Sequence, residues 1–252
     1  MLEWFFMLKK DPSQTAAPAT KLYCFSPPVM LATFLIETIG AAYVAFRYKL
    51  NRVGQLSVLL LICLGVFQLA EYLICEKPLL PGLTWARIGY VAITILPPLG
   101  ISLAMAIARK KSLLAQIVLY TICAAFIIFF LFIPGALSAS TCLGNYVIFQ
   151  ALPNSMYIYA LYYYGLLIIG TSLCFYWSKQ VKVKARSQAL FWLAIGYLAF
   201  ILPTTTVNLI NPLTISGIPS IMCGFAVLMA LTLIFKVMPL AGLKRNFDRL
   251  VK

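Results

Sequence analysis

The sequence contains no histidine, and only 10% of its 252 residues are charged. Without histidine, serine–histidine catalysis, histidine-ligated haem and histidine-containing zinc sites are excluded. The two aspartates, Asp11 and Asp248, lie near opposite ends of the chain, so they form no paired site for Mg²⁺. No nucleotide-binding or hydrolase motif occurs. We therefore predict that the protein is not an enzyme and holds no cofactor and no metal.

Apolar residues are abundant: 63% of the chain is hydrophobic, and the mean hydropathy is +0.96. A soluble domain carries roughly 25% charged residues, which this chain does not have. The net charge of +14 does not indicate nucleic-acid binding, because the basic residues form short clusters between apolar runs. The lipid bilayer is therefore the predicted partner, and nucleic acid is not.

Seven apolar segments are long enough to cross a bilayer, which takes about 20 helical residues. The predicted spans are residues 25–46, 53–75, 86–108, 112–133, 156–177, 187–210 and 216–238. Charged or turn-forming residues separate most of them. The predicted fold is an all-α, seven-helix transmembrane bundle over residues 25–238. An N-terminal tail, 1–24, precedes the bundle and a basic tail, 239–252, follows it.

The distribution of basic residues predicts the orientation of the bundle. Of the 20 lysines and arginines, 15 lie in the odd-numbered loops and at the C-terminal end. Cytoplasmic loops carry such an excess, so we expect the N-terminus outside and the C-terminus in the cytoplasm. Residues 1–10, aromatic and ending in two lysines, are instead typical of a segment lying on a cytoplasmic surface. The predicted location is a cell membrane, most consistent with a bacterial inner membrane.

Several polar side chains fall inside the predicted spans. An ionisable group in the membrane centre costs roughly 2.5–3.5 kcal/mol on insertion scales, so it should face the bundle interior. Helical spacing places the polar residues of spans one, two, three and six on faces that can converge. We predict an outward-opening site for a small polar ligand. Its candidate residues are Glu37, Gln68, Glu71, Arg87, Thr94 and Asn208.

Each acidic candidate also has a purely structural interpretation. Arg87 is the expected charge partner of Glu71, and such a pair either binds a ligand or pins two helices together. Glu37 has no basic residue at its depth. It is therefore either a protonation-switched site or a neutral carboxyl group that bonds a neighbouring helix.

Two consecutive prolines, Pro97 and Pro98, interrupt the third span. They remove two helix donors and leave the carbonyls of Ile93 and Thr94 without partners. A side chain, a water molecule or an ion has to satisfy those carbonyls. The pattern fits a broken helix beside a transport cavity, but an ordinary packed kink is favoured.

Tyrosines and cysteines cluster near the predicted outer surface. The tyrosines predict an interfacial belt in preference to an aromatic ligand pocket; they are Tyr157, Tyr159, Tyr162, Tyr163 and Tyr164. Cys75 and Cys142 are the candidates for a disulfide bond on the outer side, with Cys24 as an alternative partner.

The first quarter of the chain resembles an uncharacterised bacterial family of small seven-helix membrane proteins. The likeness rests on the opening Cys24-Phe25-Ser26-Pro27, on Glu37, and on the run Phe67-Gln68-Leu69-Ala70-Glu71-Tyr72 in the second span. The resemblance implies a seven-helix fold and no known activity.

Two functions remain open on sequence grounds. The first is small-molecule binding of the transporter or receptor type, through the polar site. The alternative is a structural or accessory subunit whose polar spans contact a partner protein in the membrane.

Overall fold

A computed structural model describes residues 27–76, 81–142, 147–210 and 218–243. Seven helices in this part of the chain are long and apolar enough to cross a membrane. They are α1 (Pro27–Arg47), α2 (Arg52–Glu76), α3 (Gly82–Ala108), α4 (Leu113–Phe132), α5 (Pro153–Gln180), α6 (Lys184–Ile210) and α7 (Ile218–Thr232). The seven predicted apolar helices are therefore confirmed, and most of their ends lie within a few residues of the predicted span bounds.

The seventh span changes its helical geometry before it ends. After α7 the chain forms a π-helical turn, Leu233–Val237, and then a short helix, α8 (Met238–Ala241). Lys236 in this turn places its amine 5.1 Å from the centre of the Trp192 ring. A cation over an aromatic face is favourable, which explains how a lysine is held at the end of an apolar span.

A short antiparallel hairpin joins α4 to α5, in a segment for which the sequence predicted no regular structure. Its strands are β1 (Leu137–Cys142) and β2 (Val147–Ala151), with an irregular register between Leu137 and Ala139. Phe149 is buried, and its ring lies 5.2 Å from that of Tyr90 and 6.1 Å from that of Phe67. The hairpin therefore packs onto one end of the helical bundle.

The helices differ greatly in how much of them the bundle encloses. In the most apolar stretch of α3, 78% of the residues are buried, whereas in α4 only 11% are. Thus α3 is the central helix and α4 lies at the periphery. Because exposed apolar residues are stable only in lipid, this distribution fits a chain surrounded by a bilayer.

The two ends of the bundle are distinct. The backbone N–H of Lys49, between α1 and α2, donates a hydrogen bond of 2.7 Å to the carbonyl of Leu243. The end of the seventh span therefore lies on the same side as the α1–α2 loop, as seven crossings require. We call this side the basic face. That the basic face lies in the cytoplasm stays a prediction. Residues 1–10, which are typical of a segment on a cytoplasmic surface, lie outside the described part of the chain.

Candidate functional site

Two buried glutamates lie near each other inside the bundle. Glu37 on α1 is 0% exposed and Glu71 on α2 is 1% exposed. Both oxygens of Glu37 and one oxygen of Glu71 have no hydrogen-bond partner among the described residues. The two carboxyl groups are close enough to interact electrostatically. We call Glu37, Gln68 and Glu71 the acidic site.

Small residues allow α1 to approach its neighbours at this depth. A Cβ atom added to Gly65 on α2 would lie 3.3 Å from the Thr38 hydroxyl oxygen and 3.8 Å from Cβ of Glu37. A Cβ atom on Gly40 would collide with the end of Ile234 in the π-helical turn. Membrane helices that pack this closely commonly use glycine at the contact. The glycines therefore help to enclose Glu37.

The seventh span supplies two polar contacts that the sequence analysis missed. The side-chain amide of Gln68 donates a 2.7 Å hydrogen bond to the carbonyl of Cys223. Ser220 hydrogen-bonds Glu71 and also accepts a 3.1 Å hydrogen bond from the backbone N–H of Val147 in β2. Ser220 and Cys223 are three residues apart, so helical spacing puts them on one face. The signal available in the sequence was Ser220, a polar residue in an apolar span; the contact at Cys223 uses a backbone carbonyl, which leaves no signal in the side-chain pattern.

Arg87 is not the hydrogen-bond partner of the acidic site. Among the described residues, Glu71 bonds Ser220, while Nε of the half-buried Arg87 has no partner. The predicted Glu71–Arg87 pairing is therefore replaced by a neutral contact with α7. The backbone of Asn208 lies in α6, but its side chain is outside the described part of the structure.

Thr94, the remaining candidate, belongs to a neighbouring cluster of tyrosines. Its hydroxyl donates a 2.6 Å hydrogen bond to the carbonyl of Tyr90 and lies 3.1 Å from the hydroxyl of Tyr159. The phenol of Tyr90 is near enough to Glu71 to interact with it electrostatically. Thr94 therefore belongs to a tyrosine cluster that neighbours the acidic site.

The double proline is accommodated by packing. Helix α3 continues through Pro97 and Pro98. The carbonyl of Thr94, which Pro98 deprives of its helical donor, accepts a 2.8 Å bond from the hydroxyl of Tyr162. The thiol of Cys123 lies 3.6 Å from the same oxygen. At this carbonyl side chains of α4 and α5 replace the missing donor, as an ordinary packed helix requires.

The tyrosines of α5 do not form a uniform belt. Tyr157 is exposed, in agreement with the prediction, but Tyr159, Tyr162 and Tyr163 are buried. Their rings pack on one another and on the phenylalanines of α4. The belt prediction is therefore wrong for these three. Thr94 and its carbonyl offer partners for the hydroxyl groups of Tyr159 and Tyr162, while Tyr163 packs its ring against Tyr159.

The cysteines divide into two groups. Cys63, Cys123, Cys174 and Cys223 are free and buried, while Cys75 forms a disulfide bond. The side chains of Cys24 and Cys142 lie outside the described residues. The Cys75–Cys142 pairing therefore stays a prediction.

Seven apolar helices around buried polar side chains define a multi-pass membrane protein of the helical-bundle class. Comparison with known proteins adds no narrower assignment. No protein-family model matches the chain, and no curated protein is significantly similar to it.

Proposed function

We propose that the protein binds a small, positively charged solute at the acidic site, as a transporter or receptor does. The supporting observation is the set of three carboxylate oxygens on Glu37 and Glu71 that lack hydrogen-bond partners. Burying such groups unpaired is costly, and most buried polar atoms in proteins have partners. Ionisable residues kept inside a membrane bundle commonly mark a solute or ion pathway.

The sign of the ligand charge follows from the composition of the site. The acidic site contains two carboxyl groups, those of Glu37 and Glu71. Two negative charges there would repel each other. A proton bound to either carboxyl group would relieve that repulsion. A cation does the same, so the proposed ligand competes with protons and should bind more tightly as the pH rises.

The hairpin provides the proposed route for the ligand. Ser220 accepts a hydrogen bond from β2 while its hydroxyl hydrogen is directed to Glu71. In this structure the carboxyl groups are enclosed. Movement of the hairpin away from α7 would break the contact at Ser220 and open the acidic site at the end opposite the basic face. With the predicted orientation, that opening is outward.

Proton release from the purified full-length protein tests this proposal. Sodium chloride and methylammonium chloride are titrated into weakly buffered protein in uncharged detergent, with N-methylglucamine chloride as the bulky control at equal ionic strength. We expect saturable proton release and thermal stabilisation with at least one small cation. At 100 times the dissociation constant, the stabilisation is about 2.7 kcal/mol.

Three single variants and one double variant make the test specific. Glu37→Gln and Glu71→Gln each remove one carboxylate and should abolish or strongly reduce proton release. Glu76→Gln removes an exposed carboxylate from the end of the same helix, so it should behave like the unmodified protein. The proposal is refuted if both small cations fail to release protons, or if the double variant of Glu37 and Glu71 responds as the unmodified protein does.

One observation favours the alternative of an accessory subunit. Helix α4 presents a long apolar surface, which includes the exposed Leu113, Ile117 and Phe132. Lipid covers such a surface in a monomer, whereas a partner helix would cover it in a complex. A second protein that copurifies from the membrane at a fixed ratio would support the alternative. A homogeneous monomer in detergent would oppose it.

A further inference from the structure

A cavity of about 540 Å³ opens at the basic face, away from the acidic site. Helices α1, α3 and α5 end on this side, and α2, α4 and α6 begin there. Five cationic side chains line the cavity and define what we call the basic cavity: Arg52, Arg109, Lys110, Lys111 and Arg186.

The described walls of the basic cavity carry no negative side chain. None of the described residues that line it is an aspartate or a glutamate. Arg109 and Arg186, which come from different helices, interact with each other as like charges. Because like charges brought together repel, an anion in the cavity would stabilise the arrangement.

Helix ends of both polarities meet at the cavity: the first turns of three helices favour an anion, while the C-terminal end of α3, residues 105–107, carries the opposite partial charge. Asn51 caps the start of α2 by accepting a 3.0 Å hydrogen bond from the N–H of Gly54. Gln116 and Arg186 lie in the first turns of α4 and α6. All three residues line the cavity. The N-terminal end of a helix carries a partial positive charge that favours anions.

Arg109 adopts a backbone conformation that is unfavourable for an arginine. Its φ of 55° lies in the left-handed region, and among the described residues it is the only non-glycine residue with a positive φ. It ends α3, where glycine is the usual residue for this conformation. This unfavourable backbone conformation singles out Arg109 among the cationic residues that line the cavity.

We propose that the basic cavity binds a phosphate-bearing anion, either the headgroup of an anionic phospholipid or a small phosphate compound from the water. Arginine and lysine are the side chains that bind phosphate, and arginine binds it in a bidentate way. Val53, Ile107 and Leu243 provide an apolar wall beside the charges. That combination suits a lipid headgroup, because basic pockets between membrane helices bind such groups.

Thermal unfolding of the full-length protein in uncharged detergent tests the proposal with defined probes. One arm compares dihexanoyl phosphatidylglycerol with dihexanoyl phosphatidylcholine. The other compares sodium pyrophosphate with sodium chloride at equal ionic strength. We expect saturable stabilisation by at least one phosphate-bearing anion over its control. Stabilisation by the phosphatidylglycerol alone identifies a lipid site, whereas stabilisation by pyrophosphate as well identifies a site for free phosphate groups.

The variants separate the cavity from the general charge of the surface. Arg109→Gly removes a cavity charge and also relieves the backbone, so the empty protein should be as stable as before. Arg186→Gln removes a cavity charge on another helix, and it replaces Arg109→Gly in the test if that variant fails to fold. Each should weaken the apparent affinity about fivefold, which is typical of one basic residue near an anionic surface. Lys182→Gln removes a charge that does not line the cavity and should change affinity less than twofold.

Two results would overturn the proposal. One is that neither anion stabilises the protein more than its control does. The other is that Lys182→Gln weakens the apparent affinity as much as the cavity variants, because the effect would then reflect only the net charge of the surface.

Discussion

Replacing Tyr162 by phenylalanine tests how the bundle tolerates a double proline in its central helix. The hydroxyl of Tyr162 donates a 2.8 Å hydrogen bond to the carbonyl of Thr94. Pro98 stands where the helix would otherwise supply an N–H for that carbonyl. The substitution removes the hydroxyl group alone and leaves the ring in place. Among the described residues, only the thiol of Cys123, at 3.6 Å, then remains as a weak donor.

The expected loss of stability follows from the burial of this carbonyl. A buried carbonyl left unsatisfied costs about 1–3 kcal/mol, while hydrogen bonds between membrane helices average about 0.6 kcal/mol, with a maximum near 1.7 kcal/mol. Because the thiol satisfies the oxygen in part, we expect Tyr162→Phe to destabilise the protein by about 1–2 kcal/mol. This loss of stability should depend on Pro98, because the proline is what leaves the Thr94 carbonyl without a helical donor.

A double-mutant cycle with Pro98→Ala isolates the interaction. Alanine supplies an N–H to the carbonyl of Thr94, so Tyr162→Phe should cost less than about 0.5 kcal/mol in that background. Equilibrium unfolding in mixed detergent micelles measures all four proteins. Tyr157→Phe on the same helix is the control, since its side chain is 78% exposed. The reasoning would be refuted if Tyr162→Phe lowered the free energy of unfolding equally with Pro98 in place and in the Pro98→Ala background.

Three further predictions concern packing, covalent structure and orientation. Gly100→Ala places a Cβ atom against the hydroxyl of Tyr197 and should destabilise by about 1–3 kcal/mol; Tyr197→Phe should restore only part of the loss in the same unfolding assay, because Cζ of the ring would still lie 2.9 Å from the new Cβ atom. Cys75→Ser should cost about 2–4 kcal/mol and make the unfolding curve insensitive to reductant, unlike that of the unmodified protein. Reporter fusions at Lys49 and Ser138 should report the cytoplasm and the outside respectively; the reverse result would invert the predicted orientation.

The helices were predictable because the signals that define them are local. A run of about 20 apolar residues closed by charges can be recognised without knowing what surrounds it. The hairpin between α4 and α5 gave no such signal. Its strands are short and uncharged, and they are held by packing: Phe149 lies against Tyr90 and Phe67, which are distant in sequence. Long-range contacts of this kind leave little trace in a local pattern.

The candidate site was predictable in part, for a related reason. Burial of Glu37 and Glu71 follows from the cost of a carboxyl group in lipid. The partner of Glu71 does not follow, because the rotation of one helix against another depends on close packing. Gly65 and Gly40 bring α1 against α2 and the π-helical turn, and the seventh span then presents Ser220 to Glu71. Arg87 was predicted as the partner because it lies at a similar depth in the membrane, but Glu71 bonds Ser220 instead.

The acidic site and the basic cavity are separate along the same helix. Arg52 at the start of α2 lines the cavity, and Glu71 lies 19 residues further on. At 1.5 Å per residue the two positions are roughly 28 Å apart along the axis. Several cationic side chains around the cavity are open to water, where salt screens charges beyond about 8 Å. Direct electrostatic coupling between the sites is therefore weak. A cation response that survives Arg109→Gly, together with an anion response that survives Glu71→Gln, would show that each site binds its ligand independently.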